Sequence, residues 1–82
     1  SENIAMMRVN CSLDKNDHRK DFIRSKIIQG INNDYIVEPF SKQDSSQISL
    51  FAKAQGFIIR EPHENKIKKG TKVPVLLISE NI

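Results

Sequence analysis

The sequence predicts an all-β domain: a small, five-stranded, mostly antiparallel barrel or sandwich with one short helix. Three observations predict this fold. Apolar residues recur at every second position in several short segments, turn residues separate those segments, and the connections between them are short. Short connections favour antiparallel pairing, because a parallel pair needs a long crossover. The 82 residues suffice for one domain, which we take to span 1–82.

Residues 4–13 form the first predicted strand. One side of this segment is mostly apolar and the other mostly polar, which is the period-two pattern of a half-buried strand. A free cysteine on the apolar side behaves as a small hydrophobic residue, so Cys11 is predicted to be a core residue and not a nucleophile. The residues expected to face inward are Ala5, Met7, Val9, Cys11 and Leu13.

Residues 21–30 form the second predicted strand, and residues 35–40 form the third. In the second strand the inward set is Ile23, Ser25 and Ile27, and the outward set is Phe22, Arg24, Lys26 and Ile28. An outward face that mixes cations with apolar side chains predicts contact with a partner surface or an anionic ligand, although a lone strand arginine can also be merely solvated. The turn residues from Gly30 to Asp34 predict a hairpin. Pro39 marks a strand end or an edge.

A short helix is predicted after this hairpin, within residues 45–55. Ser45 or Ser46 is suited to the N-cap, and Ile48, Phe51 and Ala52 follow at helical spacing. Gly56 is expected to end the helix. The start of a helix collects unpaired N–H groups and can hold a small anion, so these serines are either anion ligands or simple caps.

The last two predicted strands are residues 57–61, ended by Pro62, and residues 72–78. Val73, Val75 and Leu77 are expected to face inward. Pro74 cannot donate to a ladder, so part of the fifth strand is expected at an edge or a bulge. Between these strands, Gly70 lies in a basic turn and is predicted to have a positive φ.

The composition narrows the class of protein. The chain has thirteen Lys and Arg residues and ten Asp and Glu residues. The resulting net charge of +3 favours anionic partners. With no Trp, one Tyr and four Phe, a surface for stacking nucleic-acid bases is poorly supplied. A single cysteine is typical of a reducing cytoplasm, and no membrane-spanning run or signal peptide is visible. The abrupt start without Met suggests a piece of a larger protein.

No complete active site is visible in the sequence, so the isolated domain is expected to be inactive. His18 and His63 lie in polar turns without a carboxylate–histidine–nucleophile arrangement, which favours solvated turn residues. No cluster of residues has metal-ligand spacing, and no Gly-rich phosphate loop occurs. We therefore predict no catalytic and no metal-binding residue within this chain.

Three segments, taken in order, carry a resemblance to a known family. They are residues 19–24 (Arg-Lys-Asp-Phe-Ile-Arg), Ser45-Ser46 with residues 52–59 (Ala-Lys-Ala-Gln-Gly-Phe-Ile-Ile), and residues 67–75 (Ile-Lys-Lys-Gly-Thr-Lys-Val-Pro-Val). Over roughly residues 4–78 the chain resembles the C-terminal domain, domain IV, of the MoeA/gephyrin family of molybdopterin molybdenumtransferases. Gln55 stands where the family pattern has Asn or Asp.

The resemblance implies a function in molybdenum cofactor biosynthesis. Family members insert molybdate into adenylylated molybdopterin in a Mg²⁺-dependent step and release AMP. They are elongated homodimers, and domain IV helps to wall a cleft whose main catalytic part lies in another domain. The expected partners are therefore the remaining domains and the adenylylated substrate, with the Mg²⁺ ligands outside these residues. Molybdate and tungstate both remain open as the oxyanion.

The resemblance also implies site residues. Arg24 and Ser45 match positions that line the family's molybdate site; Arg19 and Ser46 follow as orienting or capping residues, and Lys26 is a weaker candidate on the face of Arg24. A planar guanidinium suits a tetrahedral dianion, since it bonds two oxygens at once.

Two other functions stay open from the sequence. One is a protein-interaction module of a gephyrin-like scaffold, for which Phe22 and Ile28 beside cations are the relevant feature. The other is a small basic barrel that binds RNA or single-stranded DNA, against which the scarcity of aromatic residues argues.

Overall fold

The chain folds into a closed five-stranded β-barrel, which confirms the predicted fold class. The computed structural model describes residues 3–41 and 52–78, with the backbone alone for residues 52–54. Around the barrel the strands follow the order β1-β3-β2-β4-β5, and β5 returns to β1. The elements are β1 (Ile4–Val9), β2 (Asp21–Gln29), the 3₁₀ turn η1 (Ile31–Asn33), β3 (Tyr35–Pro39), β4 (Ala52–Arg60) and β5 (Lys72–Leu77).

The barrel is antiparallel at every strand pair but one. β2 pairs with β4 from Asp21 to Ile28, with a register shift between Ile27 and Ile28, and forms the predicted hairpin with β3. β5 pairs with β1 and with the second half of β4. The exception is a short parallel contact between β1 and β3, which closes the barrel. That contact consists of the two pairs Arg8↔Ile36 and Val9↔Val37.

The core is the barrel interior, and the alternation read from the sequence fills it as predicted. Ile27, Val37, Ile58 and Val75 are fully buried. Ser25 is also fully buried, and its hydroxyl donates to the Ile23 carbonyl at 2.9 Å, so the one hydroxyl among these apolar side chains is satisfied. Other residues of the core cluster, or packed against it, are Ala5, Met7, Val9, Cys11, Leu13, Ile23, Tyr35, Ile67, Val73 and Leu77.

The predicted helix is wrong over residues 52–55, where the chain is already strand β4. The remainder of that prediction, residues 45–51, lies outside the described residues. Gly56 does not end a helix but lies within β4, buried where β4 approaches β5. A Cβ added there would come within 2.8 Å of Val75 Cγ1 and 2.9 Å of the Leu76 carbonyl oxygen. Glycine is therefore needed at this position for close packing rather than for a turn.

Both strand prolines lie where no ladder bond is lost. Pro39 ends β3, as predicted. Pro74 lies inside β5, and the alternation of amides shows which way it faces. The Ile78 amide donates to the Gln55 carbonyl on the β4 side, so Pro74, four residues earlier, faces β4 as well. The β4–β5 ladder begins only at Val75, so Pro74 lies at a local edge of the closed sheet.

Candidate anion-binding site

Arg24 lies in the middle of β2 with its side chain on the outer surface of the barrel, as the alternation predicts. Its neighbour across the ladder on β4 is Phe57. Just past the end of β3, the Phe40 amide donates to the Arg24 carbonyl at 3.1 Å, which extends the hairpin by one residue. The backbone of Arg24 is therefore fixed from both sides.

The guanidinium of Arg24 is exposed but held in one plane. Its Nη2 and Nε atoms lie 3.2 and 3.4 Å from Oε1 of Gln55 on β4. Its Cζ lies 5.0 Å from the centre of the Phe40 ring, which is the geometry of a cation–π contact. Gln55 occupies one edge of the fork, and Nη1 takes no part in these hydrogen bonds. Arg24 thus presents donors to solvent from a side chain whose orientation is already set.

Lys26 lies two residues along β2 on the same outer face, and its ammonium also lies over Phe40, 5.9 Å from the ring centre. Unlike Arg24, this lysine is buried, with 8% of its surface exposed. Nζ forms a salt bridge with Glu38 at 3.2 Å, and the other carboxylate oxygen of Glu38 accepts from Asn10 Nδ2 at 3.0 Å. Glu38 therefore balances the charge of Lys26 and leaves Arg24 as the more accessible cation of the pair.

Arg19 lies apart from Arg24, in the turn that precedes β2. Its backbone carbonyl accepts from Asn16 Nδ2 at 2.8 Å, and its amide donates to Asp17 Oδ1 at 2.9 Å. That hydrogen bond lowers the pKa of the Asp17 carboxyl below its ordinary value. The contacts of Arg19 belong to the structure of this turn, and the described part of the chain does not bring it to Phe40 or Lys26.

Ser45 and Ser46 lie outside the described residues. The chain is described up to Ser41, which directly follows Phe40, and again from Ala52 on β4. The approach of Ser45 to Arg24 therefore stays a prediction.

The sequence of this barrel matches a known domain family. The family model for the MoeA C-terminal region, domain IV, matches residues 7–78. The chain belongs to that family. A search of curated proteins gives no match to the chain. The match covers every strand of the barrel, with β1 included from Met7 onward.

Phe40 and Gln55 contact Arg24 on this domain IV surface, and the sequence alone did not predict either contact. The sequence pattern predicts Phe40 at the end of a strand and Gln55 in a helix. The register of the β2–β3 hairpin explains the position of Phe40. Ser25 pairs with Pro39, so Phe40, the residue after β3, lies beside Arg24. Gln55 could be found only once residues 52–55 are known to be strand.

A third residue missed by the sequence analysis is Arg60, at the end of β4 on the inward side. It is 3% exposed and bonded to Glu64 and to backbone carbonyls. Its alternation with Ile58 could have indicated an inward position.

The described residues do not fit a magnesium site. Mg²⁺ is held mainly by carboxylate oxygens, and no group of three His, Cys, Asp or Glu side chains is placed to hold a metal within residues 3–41 and 52–78. No step of the chemistry is therefore assigned to Mg²⁺ on these residues. In the same ranges, no helix has the length and apolar character to cross a membrane.

Proposed function

We propose that this domain IV forms part of the wall of a molybdopterin molybdenumtransferase cleft, where it binds the molybdate that is inserted into adenylylated molybdopterin. The structural observation that carries this proposal is the exposed guanidinium of Arg24, which Phe40 and Gln55 hold in one orientation. Membership of the MoeA domain IV family supports the pathway, and the geometry of Arg24 supports the residue.

The chemistry assigned to Arg24 is the binding and orientation of a tetrahedral dianion. Charge-assisted hydrogen bonds to a guanidinium are short and strong, and two can form in parallel to one anion. Because the Phe40 ring and Gln55 Oε1 already restrict the side chain, less rotamer entropy is lost when the anion binds. An anion that takes the Nε and Nη2 edge has to displace a neutral acceptor, Gln55, and replaces it with a charged one.

The proposal places the rest of the reaction outside this chain. The remaining domains of the full-length protein supply the adenylylated molybdopterin site and the Mg²⁺ ligands, and the full-length protein acts as a homodimer. The isolated domain is inactive, since one arginine and one serine do not offset the desolvation of a dianion. Ser45 is proposed as the second donor, with Ser46 and Arg19 in supporting roles and Lys26 as a nearby positive charge.

The experiment that tests the proposal is Arg24→Ala in the full-length protein. Removing a charge-assisted hydrogen bond costs about 1.5–3 kcal/mol, so molybdate-dependent cofactor synthesis at subsaturating molybdate should fall about 10- to 100-fold. Arg24→Lys keeps the charge without the planar fork and should retain part of the activity. Unchanged synthesis in Arg24→Ala would remove the role assigned to this residue.

The matched control is Lys68→Ala, which removes an exposed cation from the turn before β5 and away from Arg24. It lowers the net charge by the same amount, so a loss of long-range attraction for anions would affect both variants equally. We expect activity close to that of the unaltered protein. Circular dichroism of both variants would show that the barrel is intact.

Phe22 favours a second candidate, a protein-interaction module. Phe22 is 51% exposed and lies beside Lys20, whose Nζ is 5.7 Å from the centre of the Phe22 ring. Ile28, the other residue expected to contribute, is half-buried and adds less. This candidate predicts that Phe22→Ser abolishes partner capture by the full-length protein, while cofactor synthesis survives Arg24→Ala.

A further inference from the structure

One strand of the barrel is only partly covered on one side. The ladder between β1 and β3 consists of Arg8↔Ile36 and Val9↔Val37, and the first four residues of β1 run on beyond its end. The Val9 amide donates to the Thr71 carbonyl, so Val9 faces β5. Backbone groups alternate along a strand, and the N–H and C=O groups of Ile4 and Met6 therefore face the opposite side, past the end of the β3 ladder.

A groove of about 390 Å³ follows this edge of β1. Met6 and Arg8 form one wall, and Asp34 and Tyr35 form the other. The second wall follows the 3₁₀ turn η1, where Asn32 and Asn33 both have positive φ. Leu77 and Ala5, which also pack against the core, line the groove as well.

Positive charge is concentrated at one end of the groove. Arg8 on β1 and Lys72 on β5 are directly opposite each other in the ladder, and both line the groove. Like charges in such cross-strand positions destabilise a sheet. Arg8 Nη1 donates to the Gly70 carbonyl at 3.0 Å, and neither cation forms an ion pair with a carboxylate of the described residues. A carboxylate brought to this end would relieve the repulsion.

We infer that this groove binds an extended, acidic segment of a partner protein, which adds as a strand beside β1. Strand addition uses backbone hydrogen bonds for affinity and pockets for alternate side chains for specificity. The bound segment pairs with Ile4 and Met6, directs an acidic side chain to Arg8 and Lys72, and places an apolar side chain against Tyr35 and Leu77. The open edge has room for about four residues, at about 3.3 Å for each.

The groove is separate from the Arg24 surface. β1 is divided from β2 by β3 on one side of the barrel, and by β5 and β4 on the other. The inference therefore stands independently of the anion-binding proposal. A peptide is favoured over a phosphate-bearing ligand because Asp34 on the second wall would repel a multiply charged anion, while a strand can place a neutral position there.

The test is a titration of the ¹⁵N-labelled 82-residue chain with two short peptides. The probe is acetyl-Thr-Val-Glu-Val-Thr-amide, and its counterpart carries Lys in place of Glu. We expect the acidic peptide to shift the amide signals of Ile4, Met6 and Arg8, and to bind at least about tenfold more tightly than the basic one, as two nearby cations allow.

Two variants separate the parts of this interaction. Arg8→Gln should weaken binding of the acidic peptide about fivefold or more, whereas Lys15→Gln, which also removes one exposed cation, should leave binding unchanged. Met6→Pro removes a backbone N–H that faces the groove. It leaves the hydrogen bonds of the β1–β5 ladder in place, because the Met6 N–H points away from β5. This variant should bind both peptides more weakly.

Three results would overturn the inference. One is the absence of amide shifts at millimolar acidic peptide. Another is equal affinity for the acidic and basic peptides. The third is a set of shifts centred on Phe22 or Arg24 instead of β1. Arg8→Gln changes only an exposed side chain. If Met6→Pro fails to fold, the effect of Arg8→Gln on binding of the acidic peptide still decides the test.

Discussion

Two arginines on the paired strands β2 and β4 show how one chemical group takes opposite roles. Arg60 is 3% exposed, and Arg24 is exposed. The Arg60 guanidinium bonds Glu64 through Nε and donates from Nη2 to the carbonyls of Asp14 at 2.9 Å and Asn65 at 3.0 Å. Among the residues that the structure describes, Arg24 donates to one side-chain acceptor, Gln55. A guanidinium whose donors are used by the fold maintains structure, and one with donors to spare is available to a ligand.

The surroundings of the two arginines explain the difference. At Arg60, two loops are joined by backbone bonds, among them Asn16 N–H to the Glu64 carbonyl at 2.9 Å and His63 N–H to the Asp17 carbonyl at 2.7 Å. These loops cover the end of the barrel and enclose Arg60. At Arg24, the contacts of the guanidinium within residues 3–41 and 52–78 are the Phe40 ring and Gln55, on the outer wall of the barrel.

The largest effect that would sharpen this comparison is on stability. Arg60→Met should lower the free energy of unfolding by about 3 kcal/mol, because it breaks a buried ion pair and leaves carbonyls of two loops without their donor. Arg24→Met, the matched change on the open surface, should cost less than about 1 kcal/mol. Urea denaturation of both variants measures the difference. Equal losses would contradict the distinction drawn between them.

A smaller effect is expected at Gln55. Gln55→Ala removes the acceptor of Arg24, so the Nε–H of Arg24 should exchange with solvent several-fold faster, with a stability loss of only about 0.5 kcal/mol. The Nε–H of Arg60 should keep its protection, which supplies an internal reference in the same NMR spectrum. Gln55→Asn is one methylene shorter and should behave like Gln55→Ala. Unaltered exchange at Arg24 would show that Gln55 does not hold it.

The smallest effect concerns Asp17, in the loop region that encloses Arg60. The hydrogen bond from the Arg19 amide lowers its pKa below the ordinary 3.8. A carboxyl with a lowered folded-state pKa stabilises the fold above its unfolded pKa and loses that contribution as pH falls through the folded value. Asp17→Asn should therefore flatten the fall in melting temperature below about pH 4. If the melting temperature falls with pH to the same extent in the unaltered protein and in Asp17→Asn, this account is wrong.

The strands β1, β2 and β5 could be predicted from the sequence because each has its own period-two pattern, although β1 ends at Val9 and not at the predicted residue 13. The inward set of β1 and β2, the β2–β3 hairpin and the positive φ of Gly70 follow from local residues alone. Residues 52–55 could not be predicted in this way. Ala-Lys-Ala-Gln has good helix propensity, but pairing of Ala52–Gln55 with the Lys26–Ile28 part of β2 overrides it.

The candidate site was less accessible to sequence reasoning than the fold. The outward position of Arg24 and Lys26 follows from alternation. That Glu38 balances Lys26, and that Phe40 and Gln55 orient Arg24, depends on the registers of two ladders. The parallel β1–β3 contact leaves no local mark in the sequence. The inward position of Arg60 follows from its alternation with Ile58, but its ion pair with Glu64 depends on the fold of the following loop.

The pairing of β1 with β5 has a consequence for how the molecule is made. Ile4 pairs with Leu76, so the first strand of the domain to be synthesised finds its long antiparallel partner only when synthesis of the domain is nearly complete. Its other neighbour, β3, offers two residue pairs in the meantime. Such distant pairings make folding slow, because loop closure must be completed before contacts compensate for it. Joining the two termini and opening the chain in the turn between β4 and β5 would make β1 and β5 neighbours in sequence and should speed folding.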